Sequence, residues 1–303
     1  MCKSSPTVPQ TRESTWTILK LLLWTTSYFE SQKIESARAS AEILLASTLG
    51  LDRIDLYLRH DRPMSMNELA QYKLMIKRRA KREPVAYIVG RKEFWSMDLA
   101  VTTDVLIPRP ETECLVEQAL SYMPRENSEK LWNILELGTG SGAIVLALAS
   151  ELRHHRYFAS DLSQQALEVA KSNAVKHHLS HRICFFAGNW FDPLKNSPHK
   201  FDMIISNPPY VETAVIEKLE PEISCYEPRV ALDGGKNGLD SLEFIIKQAP
   251  GFLNPEGLLI LEIGYDQRAQ IQSMAQKSGK FESVSFIKDY SGNDRVVILT
   301  RKL

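Results

Sequence analysis

Asn207-Pro208-Pro209-Tyr210 places an amide, two carbonyls and an aromatic ring in four consecutive residues, and its prolines leave no competing N–H. The Asn side-chain oxygen and a proline carbonyl can each accept one N–H of a planar –NH2 group, while the ring covers its plane. The preceding residues, Phe201 to Ser206, form a short apolar run that reads as a buried strand. Proline cannot donate to a ladder, so the chain must leave the sheet at Asn207, at the strand's carboxyl end. In open α/β sheets that edge is where ligands bind. The alternative is an Asn-Pro turn that does no more than end a strand.

A second constellation lies upstream. Ile134 to Leu137 reads as a strand that runs into Gly138-Thr139-Gly140-Ser141-Gly142, with a helix following at once. Glycines let a backbone turn tightly and approach a ligand, and a helix N-terminus offers free N–H groups. The pattern suits a nucleotide-like ligand without saying which. Asp161 follows at roughly the 20-residue offset of a ribose-binding acid. The alternative for Asp161 is a helix cap, although Ser163 is better placed for that. Asn189 and Trp190 end the third strand. Asn189 can pair with an adenine amine and Trp190 can pack on its ring. Alternatively, Trp190 and Phe191 are core aromatics beside a turn. Ser141 has no flanking glycine at the nucleophile-elbow spacing.

These residues need a scaffold, and the periodicity describes one. Residues 15–83 read as helical: Trp16, Leu19, Leu22 and Leu23 recur at helical spacing, as do Ala37, Ala41, Leu44, Leu45 and Leu49. A further helix runs from Met66 toward Arg82, with Leu69, Tyr72, Met75 and Ile76 on one face. Residues 85–107 alternate and are rich in β-branched and aromatic residues, which predicts a β-hairpin that includes Tyr87-Ile88-Val89. Pro108-Arg109-Pro110 closes it. Thereafter strands are predicted at 133–138, 157–161, 182–188, 201–207 and 258–264. Helices lie between most of them, including 143–150 and 163–178, the latter with Ala166, Leu167, Ala170 and Ala174 inward. That alternation predicts a parallel sheet with right-handed crossovers. The last two strands, 284–290 and 295–301, are separated too briefly for a parallel crossover and must pair antiparallel. A parallel sheet ending in an antiparallel hairpin resembles the Rossmann-like sheet of S-adenosyl-L-methionine (SAM)-dependent methyltransferases. The connection at 211–240 is long for such a fold and is expected to shape the substrate mouth, with Gly234, Gly235 and Gly238 permitting tight turns.

Composition narrows the classes. The 303 residues are 44% hydrophobic and 24% charged with a formal net charge of +0, as in a soluble globular protein rather than one built to grip nucleic acid. Four widely spaced cysteines (Cys2, Cys114, Cys184, Cys225) suggest neither a zinc site nor a disulfide framework, so a reducing cytoplasm is the expected home. The apolar run 18–24 is interrupted by Lys20 and too short to span a bilayer. That run also lacks a plausible cleavage site nearby, so no signal peptide is read. His177 and His181 share an i, i+4 spacing but no carboxylate or thiol joins them, so no metal is expected. The basic run 77–82 suits either an acidic partner surface or a solvated helix end.

Asn-Pro-Pro-Tyr resembles the motif of SAM-dependent methyltransferases that act on exocyclic or amide nitrogens. Further stretches sharpen the resemblance: Arg82-Glu83-Pro84-Val85-Ala86-Tyr87-Ile88-Val89-Gly90, Val105-Leu106-Ile107-Pro108-Arg109-Pro110-Glu111-Thr112-Glu113, and Tyr226-Glu227-Pro228-Arg229-Val230-Ala231-Leu232-Asp233-Gly234-Gly235. With these, the chain resembles the release-factor glutamine N5-methyltransferases, the PrmC/HemK family. The resemblance implies a helical substrate-recognition domain at 1–84, a hairpin linker at 85–108 and a SAM-dependent methyltransferase domain at 109–303. It implies a protein substrate, the glutamine of the Gly-Gly-Gln motif in class-1 peptide-chain release factors, and a monomer without stable nucleic-acid or membrane binding. Gly138, Thr139, Gly140, Ser141 and Gly142 would line the cofactor, Asp161 hold its ribose and Trp190 meet its adenine. Asn207, Pro208, Pro209 and Tyr210 would hold the glutamine amide, with Asn207 between cofactor and substrate. Arg109, Thr112 and Glu113 would wall the site. Rival readings are a glutamine methyltransferase acting on a ribosomal protein and a DNA adenine-N6 methyltransferase, which would need a basic DNA surface. A nucleotide-binding module or a nicotinamide dehydrogenase leaves residues 207–210 without a task.

Overall fold

The computed structural model describes residues 16–124 and 130–303; the polar tail with Cys2 lies outside the described residues. The described chain divides into two compact units, with the boundary between Val89 and Gly90.

The first unit is helical: α1 Ile18–Ser31, α2 Ala37–Leu49, α3 Arg53–Leu58, α4 Met66–Ala80 and α5 Val85–Val89. Ser65 and Glu68 form a capping box that starts α4. The buried face of α1 is Ile18, Leu21, Leu22, Thr25 and Phe29. Leu23 and Trp24 point outward, because each residue turns 100° and only one stripe can meet α2. The basic run is only partly a solvated face. Arg79 is buried with its Nη1 on the Glu83 carbonyl (3.1 Å), and Arg78 Nε donates to Glu83 (2.8 Å).

Tyr87-Ile88-Val89 corrects the hairpin prediction. These residues are helical in α5, whose turn closes with Ile88 N–H on the Pro84 carbonyl (3.1 Å). Ile88 belongs to the helical core beside Leu44 and Tyr72. Burial there outweighs the β preference of an Ile-Val pair. The hairpin is shorter: β1 Arg91–Phe94 pairs antiparallel with β2 Met97–Ala100. Trp95 and Ser96 both take left-handed φ (52° and 55°), as a two-residue hairpin turn demands.

The second unit adds α6 Thr112–Tyr122, β3 Asn133–Leu137, α7 Ala143–Glu151, β4 Arg156–Asp161, α8 Gln164–Lys176, β5 Ile183–Ala187 and β6 Phe201–Ser206. It continues with α9 Thr213–Ile216, α10 Pro221–Ser224, α11 Asp240–Gln248, β7 Leu253–Glu262, α12 Arg268–Ser278, β8 Phe281–Lys288 and β9 Asp294–Arg301. One seven-stranded sheet runs β5-β4-β3-β6-β7-β9-β8. β3 to β7 are mutually parallel, and β9 is antiparallel to both β7 and β8. β7 starts five residues before the predicted strand, and a register shift against β6 accommodates Pro255 and Gly257.

Strand order reverses between β3 and β6, which opens a crevice at their carboxyl ends. Alternate residues serve the two faces. Ile134, Met203, Ile205 and Ile260 pack with α6 and α7, whereas Leu135, Ile204, Leu259 and Leu261 pack with α11 and α12. Asn173 of α8 joins the hairpin to the glycine loop. It exchanges hydrogen bonds with Ala100 N–H (2.7 Å) and carbonyl (3.0 Å), and donates to the Ser141 carbonyl (2.9 Å).

Candidate active site

A cavity of about 340 Å³ lies at the carboxyl ends of β3, β4, β5 and β6. That is within the range of small-molecule sites. Its lining includes Gly138, Thr139, Gly140 and Ser141, with Asp161, Asn189, Trp190, Asn207 and Pro209. Gly142, Pro208 and Tyr210 are outside that lining. A Cβ on Gly142 would press on Leu146 (3.1 Å) and Ala170 (3.3 Å), so this glycine serves the packing of α7 on α8.

The glycine loop is held from both sides. Gly138 and Thr139 N–H both donate to the Ser160 carbonyl at 2.9 Å. Asp161 Oδ2 accepts from Gly140 N–H (2.8 Å) and Oδ1 from Ser163 N–H (2.9 Å). Asp161 thus ties the loop to the start of α8 and lines the cavity. The cap of α8 is Ser163, whose hydroxyl accepts from Ala166 N–H (3.2 Å). Burial raises the Asp161 carboxyl above its ordinary range, against the N–H bonds that favour its charge.

Trp190 and Phe191 both pack on the core but differ in their exposure to the cavity. Phe191 is core and stacks on Phe252 (4.5 Å between centroids, 9° between planes). Trp190 has a left-handed φ of 49°, which turns its ring beside Gly138 on the cavity wall.

Two carboxylates that sequence reasoning passed over complete the site. Glu136 is 1% exposed and lines the cavity. Its Oε2 accepts from the Thr139 hydroxyl (2.6 Å) and Val145 N–H (3.1 Å), while Oε1 is buried with no hydrogen-bond partner. Burial pushes this carboxyl up to about 8. Glu262, also 1% exposed, ends β7. Its Oε2 accepts from the Thr112 hydroxyl (2.7 Å) and its Oε1 from the Tyr210 hydroxyl (3.0 Å). Thr112 Oγ1 in turn accepts from Asn207 Nδ2 (3.2 Å). Burial raises the Glu262 carboxyl, with Thr112, Tyr210 and Arg295 opposing. Both acids interrupt apolar strands at positions whose neighbours i±2 face α6 and α7. A lone acid in such a run was the available signal.

Among the family-implied wall residues, Arg109 and Thr112 line the cavity. Arg109 Nη2 pairs with buried Glu227 at 2.5 Å. Glu113 is elsewhere, accepting from Trp95 N–H (2.8 Å). The connection 211–240 reaches the mouth through Val230, Ala231 and Asp233. Val211 N–H donates to the Leu232 carbonyl (3.0 Å) and Gly234 N–H to the Val211 carbonyl (2.8 Å), which clips this connection to the residues after Asn207. Among the described residues no group of three or more His, Cys, Asp or Glu could hold a metal ion, and no helix is long and apolar enough to cross a membrane.

A strand–glycine loop–helix beside an amide-bearing strand end defines a SAM-dependent methyltransferase domain, and residues 128–295 match the family described as a methyltransferase domain. The fold agrees: a methyltransferase from Pyrococcus furiosus superposes with a TM-score of 0.50 at 21% identity, over 68% of this chain and 90% of that one. Residues 20–90 match the PrmC N-terminal domain. The release factor glutamine methyltransferase of Geobacter sulfurreducens is 43% identical over 93% of this chain and 96% of its own. That of Agrobacterium fabrum is 39% identical over 86% and 89%. The chain belongs to the release factor glutamine methyltransferase family.

Proposed function

We propose that this protein transfers a methyl group from SAM to the side-chain amide nitrogen (N5) of the glutamine in the Gly-Gly-Gln motif of class-1 peptide-chain release factors. One observation carries the choice of a planar –NH2 group as the methyl's acceptor. Asn207 Nδ2 is committed to Thr112, so its Oδ1 is the atom left to accept from an incoming –NH2. Family membership supports the release factor as the partner.

The residues fit SAM. Asp161 has lone pairs for ribose hydroxyls, Asn189 and Trp190 can meet an adenine, and the glycine loop admits close approach. Glu136 Oε1, buried and unpartnered, suits the cationic amino group of the methionine moiety. When bound, SAM supplies a methyl activated by a sulfonium.

An amide nitrogen is a poor nucleophile, since its lone pair is delocalised. Asn207 Oδ1 and the Pro208 carbonyl would accept its two N–H groups, favour charge building on nitrogen and turn its lone pair toward the methyl. Holding the reactants near about 3 Å supplies several kcal/mol of the barrier. Preoriented acceptors add to it. The surplus proton on the substrate nitrogen would leave afterwards to water. Tyr210 would lie along the amide while Glu262 takes its hydroxyl. The helical unit would supply further contacts to the release factor, and the enzyme would work as a cytoplasmic monomer.

Mass spectrometry of purified release factor after incubation with the protein and SAM tests the reading. A single methyl on the Gly-Gly-Gln glutamine is expected. With Asn207→Ala that methyl should be lost, while SAM affinity stays within about threefold. SAM binding without methylation of the release factor would move the search to ribosomal protein, then DNA.

A further inference from the structure

The geometry points to Glu262 as a positioning residue that sets, through Thr112, which end of the Asn207 amide faces the substrate. The chain of donors has one direction. Glu262 accepts from Thr112 on one oxygen and from Tyr210 on the other, and these two donors together with Arg295 favour its ionised form, which only accepts, against the burial that raises its carboxyl. Thr112 therefore spends its single proton on Glu262 and has only lone pairs left. Asn207 can satisfy those lone pairs only with its –NH2, 3.2 Å away. The Asn207 oxygen is thereby turned to the other side. Without this chain the two ends of an Asn amide are nearly equal in shape, and the –NH2 could face the substrate instead. A donor there would repel a substrate –NH2 and oppose charge building on its nitrogen. The three residues come from α6, β7 and the end of β6, and Thr112 and Glu262 are both nearly fully buried, so water does not compete for these bonds.

This inference rests on Asn207 accepting from a substrate amide. Thr112→Val removes the hydroxyl at similar volume, and Glu262→Gln replaces one acceptor by a donor. Each should lower kcat on release factor at least about tenfold, with SAM affinity and Tm nearly unchanged. Thr112→Ser should restore most of what Thr112→Val loses. The double variant should fall well short of the product of the two single losses, because both cut one chain. Losses that multiply, a Thr112→Ser variant as poor as Thr112→Val, or kcat within about threefold of wild type in both variants would overturn the assignment. Should wild type itself leave the release factor unmethylated, the substrate reading fails, and the side-chain –NH2 resonances of Asn207 decide the positioning role. Assigned by their loss in Asn207→Ala, they should shift in both Thr112→Val and Glu262→Gln; unshifted resonances in Glu262→Gln would overturn it.

Discussion

At Glu136 a single buried oxygen would couple ligand binding to pH. Its carboxyl titrates near 8 in the folded protein against 4.5 as its ordinary value, because burial disfavours the charge. The folded-state value is the raised one, so the stability it contributes is full below pH 4.5 and is lost as pH rises through about 8. A cationic amino group beside Oε1 would reverse the preference and draw the proton off. SAM affinity should therefore rise several-fold from about pH 6 to about pH 7.5, before the ligand's own amine loses its charge. Glu136→Gln should bind SAM more weakly and flatten that rise. Calorimetric titrations at three pH values decide it; an equal slope in both proteins would remove Glu136 from the cofactor site.

At the scale of elements, the connection between β6 and α11 is built around glycines that admit the backbone of residues 209–210. A Cβ on Gly238 would lie 2.3 Å from the Tyr210 carbonyl oxygen, and the residue has a φ of +68°. Gln267 holds the same place, donating from Nε2 to the Tyr210 (3.1 Å) and Gly238 (2.9 Å) carbonyls and accepting from Gly264 N–H (2.9 Å). Gly238→Ala should cost about 1–3 kcal/mol of stability from strained backbone and displaced neighbours. Turnover should fall further than stability alone explains, because the Tyr210 backbone moves with it. Gly279 ends α12 with a similar φ of +62°, and a Cβ there would meet nothing within 4 Å. Gly279→Ala is the control: about 1 kcal/mol lost and turnover kept. Thermal melts and initial rates of the two variants separate backbone strain from loss of the site.

For the whole molecule, each unit has its own hydrophobic core, so unfolding need not be one transition. Acid should take the helical unit by a specific route. Glu42 is buried, and burial alone would raise its carboxyl, yet Tyr57, Arg53 and Arg38 together hold it at about 2. Arg38 Nε reaches Oε1 at 2.7 Å and Arg53 Nε reaches Oε2 at 3.1 Å. The folded value is depressed, so the stabilisation is present above pH 4.5 and is lost as pH falls toward 2. Circular-dichroism melts between pH 5 and pH 2 should show early loss of helix. Glu42→Gln should remove that acid step and lower stability at neutral pH by about 1–2 kcal/mol, since the two arginines that lose their partner are partly exposed and keep their water. Melts independent of Glu42 across that range would refute the assignment.

Local pattern was enough for the strand-to-loop junctions that carry chemistry. Proline chemistry ends β6 at Asn207, glycine spacing opens the loop after β3, and the short predicted gap at 291–294 imposes an antiparallel pair; each depends on neighbours along the chain. The conformation of 85–89 was not local, since Ile88 takes its place in the helical core and a strand-like triplet becomes a helix. Nor were the partners of Asn207. Thr112 stands 95 residues before it, and Thr112 and Glu262 are 150 residues apart. The sequence by itself determined that Asn207 and the glycine loop reach the sheet edge. Only the tertiary structure decided which way the Asn207 amide faces, because a hydrogen bond's direction is set by donors and acceptors that the fold, not the chain, makes neighbours.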